Sequence, residues 1–523
     1  MAQVTTQDKK WWGSSDDGEG RAVQFHNARA AQAVARALRS TLGPDGMDKM
    51  VIDENGDVTI TNDGATVLEK LAIDDPFETM IAHVGFAQKS EMGDGTTTAV
   101  VIAGELIRGV RDLLSRGIHP TTIVAGFRKA SSLTCDELKT SSTSVESEDD
   151  PLFEQAIASA LAGTVSDAER IALSELLVDV FRRIDGSEEG DYAERIAVTS
   201  HPGQRIGDSE IRSGAVIEKS PIVEDMSLDF DDASILLVDA PIELDDSERD
   251  LVIDVSGPDR YQQFVDRDSR ARRQIVDRIA KAGVDVVFCQ KGVDDEIAQL
   301  LAKQGIPISR FTPKPDIEFL ARLLDSPIVS DLTTEIHDKA GGADIRYTES
   351  ENTFYLERKD APAVTFVLRG STKMVAKELE RSITDAIDLG AQLLSDGGVV
   401  PGAGAIEIEL AGSVRESATK TSGREQLAME TFADALEKIP CILAKNSGFD
   451  SIQALSHLRA VHDSGMRNAG IDIHTGDSID AYASEIVDVA AVKRNAVVSA
   501  TEAANLVLKV DDVIPATELS QDS

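Results

Sequence analysis

Gly93-Asp94-Gly95-Thr96-Thr97-Thr98-Ala99-Val100-Val101 sets a phosphate-cradling loop and a metal-ready carboxylate immediately ahead of an apolar run. Two glycines let backbone N–H groups close around phosphate oxygens, and the threonines add hydroxyl donors. The residues from Ala99 to Leu106 read as the start of a helix, whose N-terminus favours anions. Asp94 stands where a phosphate-bound Mg²⁺ would need a hard oxygen ligand. The same string in isolation also reads as a turn capping an ordinary helix, so the rest of the chain decides.

Upstream, apolar and alanine positions recur at helical spacing from Ala22 to Leu42 and stop at Gly43-Pro44-Asp45-Gly46, which predicts a helix and then a tight loop. Two β-branched runs, Met50 to Asp53 and Asp57 to Thr61, flank Asn55-Gly56 and predict a hairpin. The second run leads into Asn62-Asp63-Gly64-Ala65-Thr66, another loop placed to open a helix towards a ligand. Downstream, helices are expected from Thr98 to Arg116 and again from Pro120; polarity then rises from Thr140 to Asp150, marking a domain boundary. Leu152 to Ile184 reads as helical with a break at Gly163-Thr164-Val165-Ser166.

The middle third alternates: a strand at Ser234 to Val238, a helical stretch ending near Ala282, a strand at Val284 to Cys289, a helix through Leu301, then Ile306-Pro307-Ile308, and later Val364 to Leu368. This is a βαβ rhythm with buried strands. Within it, Pro258 to Gln274 is mostly charged and polar around Tyr261, Phe264 and Val265, and is expected to project from the body. Beyond Gly370 long helices return, broken by Gly397-Gly398-Val399-Val400-Pro401-Gly402-Ala403-Gly404-Ala405, and the last strands are expected at Leu506 to Val510 and Val513-Ile514. Helical ends around an α/β middle predict an α/β multidomain chain whose first and last thirds form one domain, with the middle inserted.

At 523 residues the chain is sized for roughly three domains. Its composition is 41% apolar but only 4% aromatic, which favours cores built from aliphatic helix faces. The net charge is −39, from 92 Asp+Glu against 53 Lys+Arg, and the acids are spread through every segment. Such a field repels nucleic acid and anionic lipid, so neither is expected as a partner. Concentrated salt would screen the self-repulsion, as in the cytoplasm of an extreme halophile. Cys135, Cys289 and Cys441 are far apart and offer neither a disulfide framework nor zinc-ligand spacing. The closest histidines, His457 and His462, sit off a shared helical face and read as structural. In Met1 to Arg21 no apolar segment follows Lys9 and Lys10, so no signal peptide is expected, and nowhere do 18 apolar residues run unbroken. A cytoplasmic location is expected.

Thr41-Leu42-Gly43-Pro44, Thr61-Asn62-Asp63-Gly64-Ala65-Thr66, the Gly93 to Thr98 loop and Gly402-Ala403-Gly404-Ala405 occur in one order and spacing, and with them Val287-Phe288-Cys289-Gln290-Lys291-Gly292 and Asn468-Ala469-Gly470-Ile471-Asp472. In these blocks the chain resembles the group II chaperonins, most closely the archaeal branch, over nearly its whole length. The resemblance implies a helical equatorial ATPase and ring-contact domain from 1–143 and 399–523. It implies a small hinge-like intermediate domain from 144–211 and 364–398, and an α/β apical substrate domain at 212–363. Pro258 to Gln274 would belong to a helical protrusion serving as a built-in lid, with no separate lid co-chaperonin. Implied partners are unfolded client proteins and self or paralogous subunits in stacked rings.

The resemblance also implies residue roles. Leu42, Gly43 and Pro44, with Asp94, Gly95, Thr96, Thr97 and Thr98, would wrap the phosphates of ATP. Asp94 would hold Mg²⁺, with K⁺ a further candidate ion. Asp63 would lie near the metal and attacking water, and Asp385, in Thr384-Asp385-Ala386, would orient that water when the hinge closes. Gly402, with Gly404 close by, would approach the sugar and base, and Asp488 would hydrogen-bond the ribose. The chain departs from the family pattern at Ala403, at Asp45, at Val489 where proline is usual, in lacking a lysine in Thr164-Val165-Ser166-Asp167, and in an acidic end from Glu518 to Ser523. The expected function is ATP-driven enclosure and folding of unfolded proteins. The rivals are a passive ring-forming holdase with impaired ATP cycling and, less well supported for want of a Walker A pattern, a small-molecule kinase.

Overall fold

The helix Thr96–Ser115 has an apolar middle and is buried over most of its length, including Val100, Val101, Ile102, Ala103, Leu106 and Ile107. A helix apolar on most faces belongs at the centre of a core, and this one is packed by Pro76–Met92, Pro120–Ser141, Glu425–Leu436 and, most extensively, Ala490–Lys509. The last presents Ala496, Ala500 and Ala504, one turn apart and fully buried, so the backbones approach closely. These helices form one unit, Met1–Ser174 with Asp388–Ser523. The computed structural model describes residues 29–510 apart from 53–55, 57, 74, 185–191, 224–225, 245–257, 333–339 and 360. The readings for Met1 to Arg21, the helix start at Ala22, Asn55, the strand at Val513-Ile514 and the acidic end fall outside these residues.

The hairpin forms as expected, Lys49–Ile52 against Val58–Thr61 in antiparallel register from Lys49↔Thr61 to Ile52↔Val58. The same unit holds a three-stranded sheet in the order Val487–Val489, Gly398–Pro401, Thr143–Ser144, and a short ribbon pairing Ala469–Ile471 with Ser478–Asp480. Leu506 to Val510 is not a strand. It continues the Ala490–Lys509 helix, where Val507 and Leu508 point into the core and Leu506 is exposed; a short apolar run carries no period of its own, and the helix before it decides.

The other unit is Glu175–Ile387. Its six-stranded sheet runs Gly214–Ile217, Thr353–Glu357, Gly341–Thr348, Phe230–Val238, Val286–Cys289, Ile308–Ser309. The last three are parallel and are linked through helices Pro258–Lys281 and Asp295–Lys303, the expected βαβ rhythm. The antiparallel strands Gly341–Thr348 and Thr353–Glu357 escaped the sequence reading; the first opens on two glycines, which weaken a strand signal. A second sheet sets Val364–Gly370 parallel to Ile196–Pro202 and antiparallel to Glu210–Arg212, joining the chain segments on either side of the larger sheet. The stretch expected to project is the first part of the Pro258–Lys281 helix. By Arg272 this helix is packed on its neighbours: that side chain is only 14% exposed and pairs with Asp294 at 3.1 Å and Glu296 at 3.3 Å.

Candidate functional site

Aspartate caps four helices of the first unit: Asp63 caps Gly64–Lys70, Asp75 caps Pro76–Met92, Asp150 caps Pro151–Ala160 and Asp450 caps Ser451–Asp463. Two helices instead follow glycine. Gly95, at φ +81°, precedes Thr96–Ser115, and Gly404, at φ +78°, precedes Ala405–Thr419, each without a side-chain cap. Their first-turn N–H groups therefore stay open to a ligand, and the helix dipole favours an anionic one.

The Gly93–Thr98 loop is held from below. Gln88 donates through Nε2 to the Asp94 carbonyl at 2.9 Å and to the Val492 carbonyl at 3.2 Å, and Lys89 donates to the Gly93 carbonyl at 3.1 Å. A Cβ on Gly95 would lie 2.7 Å from Val492 Cγ1, so the positive φ and the packing both require glycine. Asp94 accepts from the Gly95 N–H at 2.6 Å. Surrounding protein pushes its carboxyl pKa up and nearby Asp488 adds to the rise. The residue is nonetheless exposed to solvent rather than sealed in the protein. Thr96 and Thr98 are buried.

The Asp63 loop meets this one: a Cβ on Gly64 would come 2.5 Å from Thr97 Oγ1. The Asp63 carboxylate is engaged by its own helix, accepting from Thr66 N–H at 2.9 Å, Thr66 Oγ1 at 2.7 Å and Ala65 N–H at 3.4 Å. The Leu42-Gly43-Pro44 loop is tied to the helix Lys438–Asn446, where Asn446 donates to the carbonyls of Leu42 at 2.8 Å and Arg39 at 3.0 Å. A Cβ on Gly43 would strike Leu443, and one on Gly404 would strike Pro440 of the same helix, so this helix is the shared floor of the two glycine loops. The lysine-less Thr164–Asp167 loop begins on Pro44, whose carbonyl would lie 2.7 Å from a Cβ on Gly163.

Gly402 donates to the Ile486 carbonyl at 3.0 Å, and the Ala403 carbonyl accepts from Ile471 at 2.9 Å. Ala403 holds φ +55°, a left-handed backbone that costs a non-glycine residue energy. Asp488, opposite Val400 in the sheet, pairs with Lys493 at 2.8 Å, and Lys493 also reaches Glu407 at 2.8 Å. Burial opposes the lysine's charge, but the two carboxylates outweigh it and hold its pKa above the ordinary value. Sequence reading missed Lys493, Glu407, Gln88 and Asn446, whose partners are remote along the chain.

One unit thus contains Leu42, Gly43, Pro44, Asp63, Asp94 to Thr98, Gly402 and Asp488. Asp385 lies on the helix Lys373–Asp396, within the other unit. Asp388, three residues on, belongs to the first unit; burial raises its carboxyl pKa while Lys89 draws it back. It is not the idle neighbour of Asp385 that its helical position implies.

Among the described residues no three His, Cys, Asp or Glu side chains cluster to cage a metal. The exposed Asp94 carboxylate beside an open helix N-terminus fits Mg²⁺, which takes one or two carboxylates and completes its shell with phosphate and water.

A family model described as the TCP-1/cpn60 chaperonin family matches residues 34–518. The chain is 45% identical over 507 residues to thermosome subunit 2 of Haloferax volcanii, covering 96% of this chain and 91% of that one. It is 42% identical over 510 residues to thermosome subunit beta of Halobacterium salinarum, covering 96% and 92%. With the thermosome subunit of Methanopyrus kandleri it shares 41% over 509 residues, covering 96% and 93%.

Proposed function

Because this chain belongs to the TCP-1/cpn60 chaperonin family, we propose that its glycine loops and uncapped helix ends form the ATP site of a group II chaperonin subunit. The protein is an ATP-dependent chaperonin: it hydrolyses ATP to drive protein folding, works in rings with like or paralogous subunits, and binds unfolded clients. A passive holdase finds no support.

The observation that carries the site is the pair of helix N-termini that follow left-handed glycines, Gly95 and Gly404, with the Gly404 and Gly43 loops resting on one helix, in a unit where four other helices are capped by aspartate. Phosphoryl transfer needs positioning and charge neutralisation more than covalent chemistry. Leu42, Gly43 and Pro44 line one side of the triphosphate. Gly95, Thr96, Thr97 and Thr98 offer N–H and hydroxyl donors on the other. Asp94 is the carboxylate for Mg²⁺, which when bound neutralises the triphosphate. Gly402 approaches the sugar and base, and Asp488 accepts from the ribose. Asp63, already fixed by its own helix, faces the water side, and Asp385 orients the attacking water when the hinge closes, tying hydrolysis to closure.

Residues 1–143 and 399–523 are assigned to the equatorial domain, 144–211 and 364–398 to the hinge, and 212–363 to the apical domain. The pairing of Val364–Gly370 with Ile196–Pro202 supports that hinge, since it knits the two halves at the base of the inserted segment. Stacked double rings, a built-in lid, and a cytoplasmic home in a salt-rich cell complete the proposal. No helix among the described residues is long and apolar enough to cross a membrane.

The test separates binding from chemistry. Asp94→Ala should weaken Mg·ATP binding itself, while Asp385→Ala should still bind and lose turnover by about 10²–10⁴. Equilibrium nucleotide binding and single-turnover hydrolysis read the two apart. Normal hydrolysis in Asp385→Ala would overturn its role. Glu502→Ala, an exposed position on the Ala490–Lys509 helix, is the control, chosen over half-buried Asp388 with Lys89 near it.

A further inference from the structure

Lys493 is the one buried ammonium at this cluster among the described residues, and it bridges two carboxylates that come from different elements. Its Nζ lies 2.8 Å from Asp488 Oδ2 and 2.8 Å from Glu407 Oε1, with the lysine side chain 13% and the glutamate 3% exposed. Asp488 sits on the strand Val487–Val489, paired with the strand that runs into Gly402. Glu407 sits in the first turn of the helix that follows Gly404. Lys493 itself occupies the first turn of Ala490–Lys509, one residue after the Val492 carbonyl that shares Gln88 with the Asp94 loop. A single ammonium therefore fixes the glycine loop, the ribose-side aspartate and the phosphate loop in one register. Glu407 Oε2 has no hydrogen-bond partner among the described residues, so Lys493 is the contact that compensates this carboxylate.

We infer that Lys493 is a positioning residue that aims the Asp488 carboxylate at the ribose hydroxyls and so sets the preference for ribonucleotide over deoxyribonucleotide. The inference rests on the assignment of Asp488 to the ribose. Two of the lysine's donor directions are spent on Glu407 and Asp488, which leaves one Asp488 oxygen free to accept. Without the ammonium, Asp488 would stand beside Glu407 and Asp94 with nothing to hold it, and like-charge repulsion would turn it away from them.

The test compares binding of ATP and 2′,3′-dideoxy-ATP to assembled protein with Mg²⁺ present. A hydrogen bond to a charged group implies that wild type prefers ATP by about tenfold or more. Lys493→Met should bring the two nucleotides to within about threefold of each other, with dideoxy-ATP affinity close to wild type. A merely structural role would weaken both alike and keep their ratio. Removing one member of a buried ion pair can prevent folding. If Lys493→Met does not assemble, Lys493→Gln with Glu407→Gln, which removes opposite charges together, takes its place. Asp488→Asn separates the two levels of inference. If it retains the wild-type ratio, the ribose assignment fails and the inference falls with it. If Asp488→Asn loses the ratio while the lysine variant keeps it, the ribose assignment stands and Lys493 is not what aims the carboxylate.

Discussion

Ala403 is where a single methyl matters most. Its φ of +55° is a conformation in which glycine is at ease and alanine is strained, and its Cβ faces the backbone of Gly470, where a second Cβ would come within 2.6 Å. Ala403→Gly should stabilise the subunit by about 1 kcal/mol in denaturant unfolding, since the left-handed strain is relieved. A loss of stability would mean that packing of the methyl on Gly470 outweighs the strain. At this scale the sequence was informative wherever chemistry is written locally. Asp94 between two glycines announces itself, and so does the Gly402-Ala403-Gly404 loop. Asp63 is subtler: its motif is legible, but the structure shows its oxygens serving as a helix cap. Lys493 was invisible, because a lysine in the first turn of an alanine-rich helix reads as solvated, and its partner Glu407 is 86 positions away.

Elements were legible when their signal lay within a few residues. The hairpin is an example: two β-branched runs either side of Asn55-Gly56 predict it, and Lys49–Ile52 pairs with Val58–Thr61. It is only a two-stranded ribbon, yet Met50, Ile52 and Val58 on it are 65%, 61% and 47% exposed. A lone ribbon of that kind is marginal in water, and contiguous apolar exposure marks a contact surface. Met50→Asp with Ile52→Asp should therefore give subunits with native far-UV circular dichroism that sediment below ring size; intact rings would show that the hairpin faces solvent in the assembly. The helix Pro258–Lys281 supplies a second case. Its polar start looked detachable from composition, but Arg272 anchors it to Asp294, and Val276 and Ile279 are core. Removing 258–268 and keeping the anchor should leave rings and ATP turnover intact while abolishing protection of enclosed client from protease. Full protection would reduce the stretch to a surface element. The strands that sequence reading missed, Gly341–Thr348 and Thr353–Glu357, pair with each other, and the first also pairs with Phe230–Val238, a partner remote along the chain.

At the scale of the whole molecule, helical ends around an α/β middle read as an insertion, and the chain divides into Met1–Ser174 with Asp388–Ser523 as one unit and Glu175–Ile387 as the other. What composition says most strongly is the charge of −39. Inside the protein, acids are matched: Glu105 is buried against Arg39 and Arg108, and Glu437 against Arg415 and Arg459. The excess is therefore carried by the surface, where each added subunit brings like charge towards like. The Debye length grows from about 3 Å at 1 M salt to about 30 Å at 0.01 M, enough for repulsion to reach across a subunit contact. Rings should assemble and hydrolyse ATP at molar KCl and dissociate as salt is withdrawn. If screening is the cause, tetramethylammonium chloride at equal ionic strength should preserve assembly as well as KCl does, in sedimentation velocity. Assembly sustained by KCl alone would instead point to bound K⁺ as the cohesive agent, and a profile unchanged between 1 M and 0.01 M KCl would remove charge from the account altogether.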